Sequence, residues 1–199
     1  MSTITISPLR AEDIEAVAGL HAAELQYSFN SRIGPKHLAC IYRAMLSQPD
    51  SFVGVAMDAG VPVGIVSGSM DARTLKPLIL RSLGLRGKLR MIGGLLFKPS
   101  AFFTLLEEIK SRPPVKAGNQ EVNACLTTIA VASSHRRMGL AARLVTSLEN
   151  FFRARGVSHY WLDTITENAG ARSFYQKQGF VEVATHGKTV VFLKQLRLD

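Results

Sequence analysis

The stretch from Cys125 to Arg155 constrains the fold more than any other. An apolar run, "CLTTIAVA", is followed by "SSHRRMG" and then by "LAARLVTSLENFFRAR", which reads as a helix. A strand feeding directly into a helix calls for a layered α/β arrangement, because the helix must return to cover the sheet it has just left. The junction itself concentrates positive charge and backbone-permissive residues. The first N–H groups of a helix have no partner within it, and the macrodipole places partial positive charge there. Gly139 lets a ligand approach the backbone, Ala141 is the next smallest choice, and Arg136 and Arg137 add full charges. Such a junction suits an anion, a pyrophosphate above all.

The rest of the chain is consistent with a layered fold. "TITIS" reads as a first strand, "PLRAEDIEAVAGLHAAELQYSF" as one helix and "GPKHLACIYRAMLSQ" as a second. "SFVGVAMDAGVPVGIVSGSM" gives two strands about a turn. Past the junction helix come a strand "HYWLDTI", a helix "AGARSFYQKQ" and a closing hairpin with its turn near "THGK". The order is β-α-α-β-β, an insertion at 72–120, then β-α-β-α-β-β. A single domain over residues 1–199 is expected, in the α/β (α+β) class. Its central sheet is mixed and mostly antiparallel, with helices on both faces and a basic, apolar insertion between the third and fourth strands.

Charge narrows the partners. The net charge is +9 and the isoelectric point about 9.9, which favours acidic partners such as nucleic acid, anionic lipid or a polyphosphate-bearing ligand. Nucleic acid is the weaker of these. The aromatic residues are mostly phenylalanines within apolar runs, and no basic-aromatic reading surface is evident. Cys40 and Cys125 both lie in apolar stretches, which fits a reducing compartment rather than a disulfide scaffold. With neither CxxC nor HExxH, no metal site is expected. "MSTITISPLRAEDIEAV" does not read as a signal peptide, and no uninterrupted apolar run is long enough to span a bilayer. A cytoplasmic protein is expected. "GLRGKLRMIGG" fails as a phosphate loop, since only two residues separate Gly84 from Gly87 and Leu89 follows the lysine.

Two blocks, "IAVASSHRRMGLAARLV" and, about forty residues later, "ENAGARSFYQKQGF", resemble the GNAT superfamily of acetyl-coenzyme-A-dependent N-acetyltransferases. In the first, Arg136, Gly139 and Ala141 fill the fixed places of that family's motif A. In the second, Asn168, Tyr175 and Gly179-Phe180 resemble motif B. The resemblance implies that acetyl-CoA is the cosubstrate. Its pantetheine arm would lie along the strand Leu126 to Val131, with main-chain contacts from Ile129, Ala130 and Val131. The pyrophosphate would lie over Arg136, Arg137, Met138, Gly139, Leu140 and Ala141, with Ala142 just beyond. The family contacts the arm again at the next helix start, which is Asn168 here. An equivalent tyrosine protonates the departing thiolate, which makes Tyr175 the candidate catalytic acid.

The resemblance further implies direct attack by a substrate amine, with no covalent acyl-enzyme. Many members carry a glutamate on the motif A strand, where this chain offers Asn123, Cys125, Thr127 and Thr128. The base is therefore open among Glu24, His37, Glu121, His135 and Asp163. Cys125 reads as a buried thiol rather than a nucleophile. The expected acceptor is a small-molecule amine, such as an amino sugar or nucleotide-linked sugar, with a protein N-terminus or lysine as the alternative. Outside catalysis, the chain could be a nucleic-acid-binding or acetyl-CoA-sensing module. Between Ala72 and Leu106 there are seven basic residues and no acidic one. That segment is either an acceptor-site wall or a lid or homodimer contact.

Overall fold

The computed structural model describes residues 4–74 and 114–197. The expectations placed on 75–113, and with them most of the insertion, lie outside the described residues.

The first strand, β1 (Thr5–Pro8), pairs antiparallel with β2 (Ser51–Asp58). The single helix expected over 8–29 is divided. Pro8 still belongs to the strand and Leu9 N–H donates to the Val53 carbonyl, so α1 spans only Ile14–Glu24. The chain then turns, and Ser28 caps the short α2 (Phe29–Ile33) by accepting from the Ser31 amide at 3.2 Å. Gly34 and Pro35 start α3 (Pro35–Leu46), where proline fits because its missing N–H would have no helical partner. β3 (Val61–Ser69) completes the hairpin with β2.

The strand expected from Val122 begins at Cys125 instead. Before it, β4 (Lys116–Ala117) and β5 (Gln120–Glu121) form a separate small hairpin. Then follow β6 (Cys125–Val131), α4 (Leu140–Arg153), β7 (His159–Ile165), α5 (Ala169–Lys177), β8 (Val181–His186) and β9 (Thr189–Gln195). The seven-stranded sheet runs β1-β2-β3-β6-β7-β9-β8 and is antiparallel except between β6 and β7.

Each face has its own core. On one, Val17 of α1 and Leu38 and Tyr42 of α3 pack on Val53, Val55 and Ile65. On the other, Leu140, Leu144, Leu148 and Phe152 recur every fourth residue along α4 and form one apolar stripe. They meet Val66, Leu126, Tyr160 and Phe192, with Tyr175 and Phe180 beside them. Gly68 lets α4 lie this close: a Cβ there would stand 2.7 Å from the Cys125 carbonyl oxygen and 2.8 Å from a Leu148 methyl.

Candidate active site

β6 and β7 pair at one position, Cys125 opposite Trp161, where Trp161 N–H donates to the Ala124 carbonyl at 3.0 Å. Beyond it their ladder ends, and β6 continues to Val131 paired only with β3. Ala132 N–H donates to Val63, so the alternation of an antiparallel ladder turns Ala130 towards β3 as well. The amides and carbonyls of Ile129 and Val131 then point into the gap. An unpaired strand edge of this kind can take an extended, amide-bearing partner. Between Ser67 and Gly68 the register slips by one residue, and Thr127 is the extra residue of a bulge. Its hydroxyl meets Ser67 Oγ at 2.7 Å.

At the end of β6 the chain enters the basic loop. Arg137 and Gly139 both take positive φ, 62° and 73°. These turns leave the amides before α4 free of helical partners. Gly139 is the N-cap and supplies no side-chain cap, and the first helical bond comes from Arg143 N–H to its carbonyl. A Cβ on Gly139 would meet nothing within 4 Å, so the space in front of these amides is open. Successive amides around such turns form an anion-binding concavity, and the helix dipole adds to it. Arg137, Met138 and Gly139 are exposed along this loop, Leu140 is buried in the core, and Ala141 and Ala142 are half-buried on the first turn.

Arg136 has a second task. Its guanidinium donates to Glu24 Oε2 at 2.5 Å and to the Val131 carbonyl at 3.2 Å. Glu24 Oε1 accepts from the Ser133 amide at 3.0 Å. One carboxylate at the end of α1 therefore holds both ends of the loop entry. Of the gap-facing groups of Val131, the carbonyl is already engaged and the amide is what it can offer.

Across the gap, Asn168 caps α5, its Oδ1 accepting from the Ala171 amide at 3.1 Å. Near it lies Tyr27, a residue that no sequence motif singles out. Tyr27 stands in the turn after α1, 48% exposed, and lies close enough to Arg136 to feel its charge. Tyr175 is buried among Phe174, Phe180 and Phe192, with ring centroids 5.5–5.8 Å away. Burial, and then the neighbouring Tyr27, push its phenol well above the ordinary range, so it stays protonated and able to donate. Tyr27 thus neighbours Arg136 of the loop, Asn168 and Tyr175.

The family model for acetyltransferases of the GNAT type matches residues 16–180. The chain belongs to the GNAT acetyltransferase family. A curated relative from Haemophilus ducreyi, named as a ribosomal protein bS18-alanine N-acetyltransferase, is 35% identical over 60 residues. That match covers 30% of this chain and 41% of the relative. Solved structures agree on the fold. The PaiA N-acetyltransferase of Thermoplasma acidophilum, in complex with coenzyme A, superimposes with a TM-score of 0.64 at 14% identity, covering 98% of this chain and 99% of that one. The ribosomal-protein-S18-alanine N-acetyltransferase of Escherichia coli gives 0.59 at 16% identity, covering 97% and 94%.

Within this GNAT fold the candidate bases are sorted by their surroundings. Glu24 is occupied by Arg136 and the Ser133 amide. His135 bridges Asp58, 3.0 Å away, and Ser134 Oγ at 2.8 Å, which ties the cradle loop to the end of β2. His37 is buried on α3 and meets Asn30 Oδ1 at 3.1 Å. The other two candidates are acidic. Asp163 stands opposite Val191 on β7, two residues beyond Trp161, and Glu121 is exposed on β5 with Arg73 3.6 Å away. Cys125 is buried, as expected of an apolar thiol. Among the described residues no group of three His, Cys, Asp or Glu is placed to hold a metal, and no helix is long and apolar enough to cross a membrane.

Proposed function

We propose that this GNAT protein transfers the acetyl group of acetyl-CoA to the α-amine of a protein or peptide N-terminus. The observation that carries the donor half is the continuity of the unpaired β6 edge with the amide concavity at the start of α4. That shape fits a ligand with an amide-bearing arm ending in a pyrophosphate. Ile129 would offer its amide and carbonyl and Val131 its amide. The amides from Arg137 to Ala141, with the Arg137 charge, would meet the phosphates, while Arg136 holds the loop in shape. Asn168 would fix the arm from the α5 side.

For the acceptor, likeness to an enzyme named for acetylating the alanine of ribosomal protein bS18 favours a protein N-terminus over an amino sugar. Acetyl-CoA brings an activated thioester. The acceptor must be neutral, so its ammonium proton leaves to a carboxylate or to water; its nitrogen then bonds to the acyl carbon as the carbon–sulfur bond breaks. Tyr175, kept protonated by burial, would protonate the sulfur that leaves.

The test is mass spectrometry of acetylated products after incubating the full chain with acetyl-CoA and two panels, peptides with free α-amines and amino sugars with their nucleotide conjugates. Acetylated peptides are expected. Acetylation of sugars alone would overturn the choice of acceptor, and acetylation of neither panel would overturn the enzyme reading.

A further inference from the structure

Along β7, Tyr160 and Leu162 face the core beneath α4, so the two-residue repeat turns Trp161 and Asp163 to the opposite face. There the described residues line an open-mouthed cavity of about 390 Å³. One wall is the face of β7–β9–β8, with Trp161, Val191 and Val183. The other is built from the stretch just before β6, with Val115, Val122 and Asn123. Trp161 is also the residue opposite Cys125 where β6 and β7 part, so the cavity reaches the root of the gap. Tyr175 lies in the core of the other face. Donor and acceptor would thus enter the gap from opposite sides of the sheet.

We propose that this cavity is an acceptor subsite that selects peptides in which the N-terminal residue is followed by one large apolar side chain. The inference rests on the N-terminal acetylation reading above. Size permits it: ligand pockets run from about 300 to 1,000 Å³, and this cavity has room for one large side chain together with part of the backbone that carries it. The apolar walls match such a side chain. Glu121 on the rim is already paired with Arg73, 3.6 Å away. Lys116, His186 and Arg73 also lie on the rim and disfavour a basic residue next to the amine.

Trp161 is the only tryptophan in the chain, so once coenzyme A is bound any further change in its emission reports on this cavity. Peptides Ala-X-Gly-Gly-Gly, with X as Leu, Phe, Gly or Lys, are titrated into the full chain with coenzyme A present. Initial rates are measured separately with acetyl-CoA. Leu and Phe should give a saturable change in emission and a kcat/KM at least about tenfold above Gly and Lys. Val183 is 46% exposed, so Val183→Phe should leave the fold intact while narrowing the cavity and erasing that preference. Val183→Ala should retain it. Equal rates for all four peptides with unchanged emission would overturn the subsite and leave acetyl transfer standing. If no peptide is acetylated, the underlying reading fails, and emission decides the cavity separately: a shift confined to Leu and Phe retains it, and no shift overturns it.

Discussion

Gly139 offers a direct test of the cradle, because its two demands can be separated by substitution. Its φ of 73° strains any residue with a Cβ, yet a Cβ there meets no atom within 4 Å. Gly139→Ala therefore costs only the left-handed backbone penalty, about 1–2 kcal/mol. For a chain of this size that lowers Tm by roughly 2–8 °C. Gly139→Asp pays somewhat less, since aspartate tolerates this region better. What it adds is a carboxylate facing the space where a pyrophosphate would lie. Two like charges about 5 Å apart at an effective dielectric near 20 repel by about 3 kcal/mol. Solvent at this exposed loop removes about half of that, which leaves roughly a tenfold rise in Kd per phosphate charge met. Calorimetric titration of acetyl-CoA into wild type and both variants, each first shown to melt cooperatively, reads the result. Ala should bind within a few-fold of wild type, and Asp at least about tenfold more weakly. A folded Asp variant that binds like wild type would refute the cradle. So would an Ala variant that loses as much as Asp, because the loss would then come from loop shape.

Tyr175→Phe should lower kcat by about 10²-fold or more with little change in KM for acetyl-CoA, because the ring contacts remain and only the proton donor goes; an unchanged kcat would make Tyr175 a packing residue. Burial lowers the His21 pKa to about 4, against about 6.5 in the unfolded chain, and its Nδ1 shares a hydrogen bond with the Tyr42 hydroxyl. As pH falls the unfolded chain takes up the proton first, so this stabilisation is complete above pH 6.5 and is lost as pH falls towards 4, to an extent on the order of 3 kcal/mol. Urea unfolding across that window should show the slope, and His21→Gln should flatten it; an equal slope in both would assign it to other groups. Gly68→Ala should destabilise by about 1–3 kcal/mol, because the carbonyl of Cys125 is backbone and cannot move aside. A Tm equal to wild type would show that α4 can shift.

The parts of the molecule legible in the sequence are those where local pattern and local structure coincide. The leucine stripe of α4, the hairpins and the loop at Gly139 each advertise themselves within a dozen residues, and the structure has them where expected. Three features depend on residues distant in the chain. The expected helix over 8–29 broke because Pro8 and Leu9 pair with Gly54 and Val53, a tertiary demand that no helical periodicity records. Arg136 looked like a phosphate ligand by its place in the motif, while the structure also binds it to Glu24, over a hundred residues earlier. Tyr27 reaches the site only because the chain turns after α1, and "LQYSF" carries no motif to mark it. The cavity proposed for the acceptor is lined by similarly scattered residues, Trp161, Val183 and Glu121, and spacing alone does not join them.

The single bridge between β6 and β7 bears on how the protein opens. Residues 159–195 supply β7, α5, β8 and β9 in one uninterrupted length of chain, and their strand pairing is complete among themselves. Their backbone ladder to the rest of the sheet is one position wide. What joins the halves is side-chain packing beneath α4, where Phe152 meets Tyr160 and Glu149 receives Lys194. Packing of that kind slides more readily than a ladder of hydrogen bonds unzips. The C-terminal segment can therefore act as a separate cooperative unit in amide hydrogen exchange, with the line of weakness running along the gap between β6 and β7.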